Sequence, residues 1–110
     1  GIKEINSYAF SNYTHLNSIS IPESVTYIGS NAFESCLNLE SVNLPNSISS
    51  INIETFVGCE SLESINIPNS VTSIRYCAFA GCKNLKSVTI PDSVTRACSH
   101  KSLQTNINTV

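Results

Sequence analysis

Apolar residues recur along the chain in a fixed order every 23 positions, and a fixed period is read before any local propensity. Prolines at 22, 45, 68 and 91 mark the register. Ahead of each proline, Leu16, Leu39, Leu62 and Leu85 open a segment that continues through Ile19, Val42, Ile65 and Val88 to Ile21, Leu44, Ile67 and Ile90. Polar residues separate these positions, so the segment alternates with period two and is rich in β-branched side chains. That predicts a half-buried strand centred on Ile19, Val42, Ile65 and Val88. Proline ends each strand because it has no amide hydrogen to donate to a ladder.

After the proline come Val25, Ile48, Val71 and Val94, then Ile28, Ile51 and Ile74, then Phe10, Phe33, Phe56 and Phe79, with Tyr13, Cys36, Cys59 and Cys82 closing the coil. The S-V-T-x-I step predicts a second extended piece. A-F-x-x-C, with apolar residues three apart, predicts a tight helical or 3₁₀ turn on the opposite side. A single coil buries too little apolar surface to offset the entropy of ordering its residues. Successive coils must therefore stack, share strand hydrogen bonds and cover one another's faces.

The coil from Leu16 to Asn38, LNSISIPESVTYIGSNAFESCLN, and its three companions resemble the BspA-like class of leucine-rich repeats over residues 2 to about 95. The resemblance implies a right-handed leucine-rich-repeat solenoid, a β-rich α/β superhelix with a parallel sheet of one strand per coil and short turns or 3₁₀ segments opposite. It implies a surface or secreted protein, and adhesion to a host or extracellular-matrix protein as its role. Residues 1–95 are expected to form a half coil plus about four coils. The pattern breaks after Thr95: Ala97 replaces an isoleucine, and Lys101 and Ser102 stand where A-F is due, which predicts a degenerate cap or loose tail over 96–110. Gly29 aligns with Asn6, Asn52 and Arg75. If that position is left-handed, glycine and asparagine suit it and the turn at Arg75 is rebuilt or strained.

Charged residues make up 13% of the chain against a usual share of about 25%, and 41% is hydrophobic, so a packed core is expected rather than disorder. The net charge of -2 supplies no basic stripe, which argues against nucleic acid and anionic membrane surfaces as partners. No apolar run approaches the roughly 20 residues of a membrane span, and no signal pattern opens the chain. The sequence has no methionine and Ile2 and Ile5 fall halfway round a coil, which predicts processing or a fragment of a longer repeat protein.

The five cysteines divide into two groups. Cys36, Cys59 and Cys82 share one column and are expected to be buried, unpaired small hydrophobes. That favours a reducing compartment, so a cytoplasmic location stands as the alternative to the surface. Cys77 and Cys98 lie outside the core columns, and Cys77 is expected to be more exposed. With His100 they raise a metal cluster or a Cys77–Cys98 disulfide. The spacing fits no metal pattern, and regular coiling puts the two Cα atoms about 8 Å apart, beyond disulfide reach.

No other polar residues converge on a catalytic arrangement. Asp92 is the one aspartate, His15 and His100 stand far apart, and no phosphate loop or nucleophile elbow occurs, so neither an enzyme nor a cofactor is expected. Ser24, Ser47, Ser70 and Ser93 recur with the repeat, and their hydroxyls are expected to bond turn backbone in the next coil. Asn12-Tyr13-Thr14 is a glycosylation sequon that matters only on a secretory route.

The outward strand positions form the candidate interaction face. One column is Ser18, Ser41, Ser64 and Ser87; a second is Ser20, Asn43, Asn66 and Thr89; Asn17, Glu40, Glu63 and Lys86 run beside them. Small polar side chains predict a flat face whose main negative feature is the pair Glu40 and Glu63, either a mark for a cationic partner or a solvated surface balanced by Lys86. The leading expectation is a protein-interaction or adhesion module. The alternative is a structural solenoid that stacks end to end into oligomers or fibres.

Overall fold

The computed structural model describes residues 1–97 and 108–109, and in it the chain winds into stacked coils with three walls. The first wall carries β2 (Ser18–Ser20), β4 (Ser41–Asn43) and β6 (Ser64–Ile65), paired in parallel with Ser18 opposite Ser41 and Ser41 opposite Ser64. Alternation decides the strand faces: Val42 and Ile65 point inward and are buried, while Ser41, Asn43 and Ser64 are exposed. β8 (Ser87–Val88) continues the series at the predicted position. Its ladder partner is β10 (Asn108–Thr109), with Ser87 opposite Asn108 and Val88 opposite Thr109, an offset of 21. The uniform step of 23 therefore holds between β2, β4 and β6 and shortens by two at the last pairing.

The second wall is the expected second extended piece. β1 (Glu4–Ile5) pairs with β3 (Tyr27–Ile28), and β5 (Ser50–Ile51), β7 (Ser73–Ile74) and β9 (Arg96–Ala97) form a parallel set, again in steps of 23. The wall is split between β3 and β5. On one side of the split Gly29 N–H donates to Ile5 O at 2.8 Å, and on the other Arg75 N–H donates to Ile51 O at 2.9 Å. Between them the side chain of Asn52 takes over, its Nδ2 donating to Ile28 O at 2.6 Å. A side chain is longer than a backbone amide, so the two coils stand apart there. The resulting cleft of about 140 Å³ is lined by Thr26, Tyr27, Ile28, Ser49, Ser50 and Asn52.

The third wall is made of turns, and the described residues contain no helix. This corrects the helical or 3₁₀ turn expected from A-F-x-x-C: the wall consists of consecutive turns, the short-turn form that the resemblance implied. Within a coil, alternate residues close i→i+3 turns: Ala32, Glu34 and Cys36 N–H donate to Gly29, Asn31 and Phe33 O. The residues between them donate to the next coil, Asn31, Phe33 and Ser35 N–H reaching Ile53, Thr55 and Val57 O. A 3₁₀ helix would spend every amide inside its own coil; this wall divides them, and so adds a third set of bonds between coils.

That division requires left-handed residues at two columns. Tyr8, Asn31, Glu54 and Cys77 have φ between 55° and 63°, and Asn12, Ser35, Gly58 and Gly81 between 55° and 75°. The column of Gly29 is not among them, which corrects the expectation that this position, and Arg75 with it, is left-handed. Gly29 is glycine because of crowding: a Cβ there would lie 2.8 Å from Ser7 Cα.

The core runs the length of the stack. Leu39, Leu62, Leu85, Val25, Val71, Phe33, Phe56 and Phe79 are all essentially sealed from solvent. The phenyl rings stack face to face from Phe10 to Phe79 at centroid spacings of 5.3, 5.4 and 5.6 Å, tilted by no more than 12°. Such near-parallel stacking is offset by the coil geometry, and it extends one aromatic column through four coils.

Candidate interaction face

The first wall presents its outward columns as the sequence predicts. Ser18, Ser41 and Ser64 are exposed, as are Ser20, Asn43, Asn66 and Thr89, and Glu40, Glu63 and Lys86 beside them. The side chain of Ser87 lies outside what the structure describes. Backbone bonds hold the charged column in register: Glu40 N–H donates to Asn17 O at 2.7 Å and Glu63 N–H to Glu40 O at 3.1 Å. Asn43 Nδ2 donates to Ser20 Oγ at 3.3 Å, so the small polar side chains begin a ladder of their own across the coils. Glu40 and Glu63 therefore stand on neighbouring strands about 4.8 Å apart. Among the described residues the ion pair within reach is Lys83 with Glu60 at 3.5 Å, on a different column, and Lys86 pairs with neither glutamate of the face.

The cysteine column does not contribute to this surface. Cys36, Cys59 and Cys82 are buried and free of disulfides, and their thiols donate to Phe10, Phe33 and Phe56 O at 3.1, 3.1 and 3.2 Å. Each thiol thus ties its coil to the preceding one. Burial raises the pKa of all three, that of Cys82 to about 12, so they stay protonated donors at physiological pH. Cys77 is more exposed than the column cysteines, but only at 6% against 0% for each of them, so it too is buried. It occupies a left-handed position on the third wall, with a φ of 55°, a conformation the residue pattern does not announce. Cys98 and His100, the other members of the suggested metal or disulfide site, lie outside the described residues.

The serine column behaves partly as expected. Ser24 Oγ donates to Ile2 O and Ser47 Oγ to Val25 O, both at 2.6 Å, so the bonded backbone belongs to the preceding coil and not the next. Ser70 and Ser93 Oγ are buried without a hydrogen-bond partner among the described residues.

Sequence reasoning missed the exposed aromatics. Tyr27 on the second wall and Tyr8 and Tyr76 on the third are about half exposed. The side-chain hydrogen bond between Tyr76 and Cys77 is the largest of the causes that raise the Tyr76 phenol pKa. The signal available was departure from the repeat, since Ser50 and Ser73 align with Tyr27, and Ser7 and Ser30 with Tyr76.

Three parallel walls around one apolar column, built from coils of 23 residues with one leucine-led strand each, define a leucine-rich-repeat solenoid. The chain belongs to the BspA-type leucine-rich-repeat family, whose model matches residues 1–108 in six copies. It is similar in structure to a leucine-rich cell surface protein of Faecalibacterium prausnitzii, at 35% identity and TM-score 0.90, covering 99% of this chain and 29% of that one. It is also similar to a leucine-rich-repeat protein of T. pallidum, at 33% identity and TM-score 0.84, covering 87% of this chain and 45% of that one. Similarity to the pneumococcal vaccine antigen PcpA is 27% with TM-score 0.79, over 96% of this chain and 28% of the antigen. The chain thus spans less than half the length of each of these proteins. No curated protein sequence matches it. No helix among the described residues is long and apolar enough to cross a membrane.

Proposed function

We propose that the chain is a protein-interaction or adhesion module of a cell-surface repeat protein, and that it meets its partner with the outward face of the first wall. The observation that carries this reading is the in-register exposure of Ser18, Ser41, Ser64, Ser20, Asn43 and Asn66 beside Glu40 and Glu63. Like charges on adjacent strands cost stability, and a cationic patch on a partner removes that cost. The cell-surface description of the Faecalibacterium relative supports the location.

Area limits the affinity. Four strands about 4.8 Å apart and about 17 Å wide offer roughly 320 Å², against about 800 Å² per partner in a standard interface. Tight binding therefore needs more coils or several copies acting together.

The test is to immobilise the chain at high density and pass extracellular-matrix proteins over it, comparing the wild type with Glu40→Lys/Glu63→Lys and with Ser41→Arg. Both variants should lose most of the binding. Undiminished binding in both would place the interface elsewhere. A second reading, head-to-tail association of copies, is favoured by the charge distribution: up to Ile74 there are seven glutamates and one lysine, and from Arg75 onward five cations and one aspartate.

A further inference from the structure

Two arginines on the second wall break the repeat. Arg75 aligns with Asn6, Gly29 and Asn52, and Arg96 with Glu4, Tyr27, Ser50 and Ser73, so nothing in the stacking of coils calls for a cation at either place. In β7, Ile74 points into the core at 1% exposure, which turns Ser73 and Arg75 outward on either side of it. β9 then sets Arg96 directly opposite Ser73. Backbone bonds fix both arginines in the wall, Arg75 N–H to Ile51 O at 2.9 Å and Arg96 N–H to Thr72 O at 3.1 Å. Ser73, Ile74, Arg75 and Arg96 together line a cleft of about 240 Å³.

Among the described residues neither guanidinium has a carboxylate within ion-pair distance, and no aspartate or glutamate follows Asp92 in the sequence. Diagonal neighbours on paired strands stand about 7–8 Å apart, within reach of long side chains, so both guanidinium groups can meet one anion held between them. A carboxylate is planar and satisfies one guanidinium fork. A tetrahedral group presents oxygens in several directions, so it can accept from two forks approaching from neighbouring coils and from the Ser73 hydroxyl as well.

We propose that this cleft binds a tetrahedral oxyanion, a sulfate or phosphate carried as an ester or as the free ion, with Arg75 and Arg96 as the two clamps and Ser73 as a further donor. The site lies on a different wall from the interaction face and stands without it.

Calorimetric titration at constant ionic strength tests the proposal with five probes: inorganic sulfate, inorganic phosphate, a monosulfated sugar, the corresponding sugar phosphate and the unesterified sugar. Saturable one-to-one binding of at least one oxyanion is expected, and none of the parent sugar. An ester that binds more tightly than its free anion identifies a conjugated ligand; the reverse order identifies the ion, and both outcomes support the site. Arg75→Gln and Arg96→Gln should each weaken binding by about ten- to a hundredfold. Arg75→Lys should also weaken it, because an ammonium keeps the charge and loses the fork. Lys86→Gln, on the first wall, should leave it unchanged. Both arginines are exposed, so the variants should keep the wild-type unfolding midpoint. No saturable binding by any probe, full binding in Arg75→Gln, or an equal loss in Lys86→Gln would overturn the proposal.

Discussion

At the scale of the residue, position in the coil decides what a side chain is worth. Phe56 is 1% exposed and stacked between Phe33 and Phe79, at 5.4 and 5.6 Å. Replacing it with alanine empties a space that neighbours in three coils cannot all close, so Phe56→Ala should cost about 3 to 5 kcal/mol. Glu63 stands exposed on the first wall beside Glu40, and Glu63→Ala should change stability by no more than about 0.5 kcal/mol. Chemical denaturation of the two variants checks this, and equal midpoints would show that the phenylalanine column is not the core. Columns of this kind were legible in the sequence because burial in a solenoid repeats with the period. The burial of Cys77 was not legible, because its column holds the exposed Tyr8 in the first coil, so the repeat does not say which of these side chains is covered.

At the scale of the element, the strands were legible and the turns were not. Alternation and the proline stop located β2, β4, β6 and β8 around Ile19, Val42, Ile65 and Val88, since a half-buried strand writes its pleat into the residue pattern. The third wall left no comparable trace. Apolar spacing of three is shared by a 3₁₀ helix and by successive turns, and only the destination of the intervening amides, here the next coil, separates them. The same packing explains Gly29, where the approach of Ser7 from the preceding coil leaves no space for a Cβ. Gly29→Ala should therefore destabilise the chain by about 1 to 3 kcal/mol through overpacking. Thermal unfolding checks the prediction; a wild-type midpoint would mean that the two coils separate there at no cost. The split between β3 and β5 was equally hidden, because it follows from the Asn52 side chain taking the acceptor that a backbone amide takes in the neighbouring coils.

At the scale of the whole molecule, stacking order converts sequence position into height along the axis, so charge segregated in sequence is segregated in space. Seven glutamates lie before Arg75 and one aspartate after it, while five of the six cations lie from Arg75 onward. Opposite ends of opposite sign attract over roughly a Debye length, which shrinks from about 30 Å at 0.01 M salt to about 3 Å at 1 M. If copies associate head to tail, light scattering over a concentration series should show mass growing at low salt and returning to the single chain at high salt. Constant mass at low salt would leave the interaction face as the sole reading of the two.

The period of 23, the identity of the core columns, the first-wall strands and the outward polar columns of the candidate face were determined by the sequence alone, because each is a local pattern repeated until chance is excluded. Contacts between coils decided the rest: the turn type of the third wall, the reach of each thiol to the carbonyl of the preceding coil, the gap held open by Asn52, and the meeting of Arg75 with Arg96 in one cleft. These pairings join residues about one period apart whose side chains face each other only once the coils are stacked. A sequence records which residues share a column; the distance across a stack is set by how closely the backbones approach, and that is a property of the packed molecule.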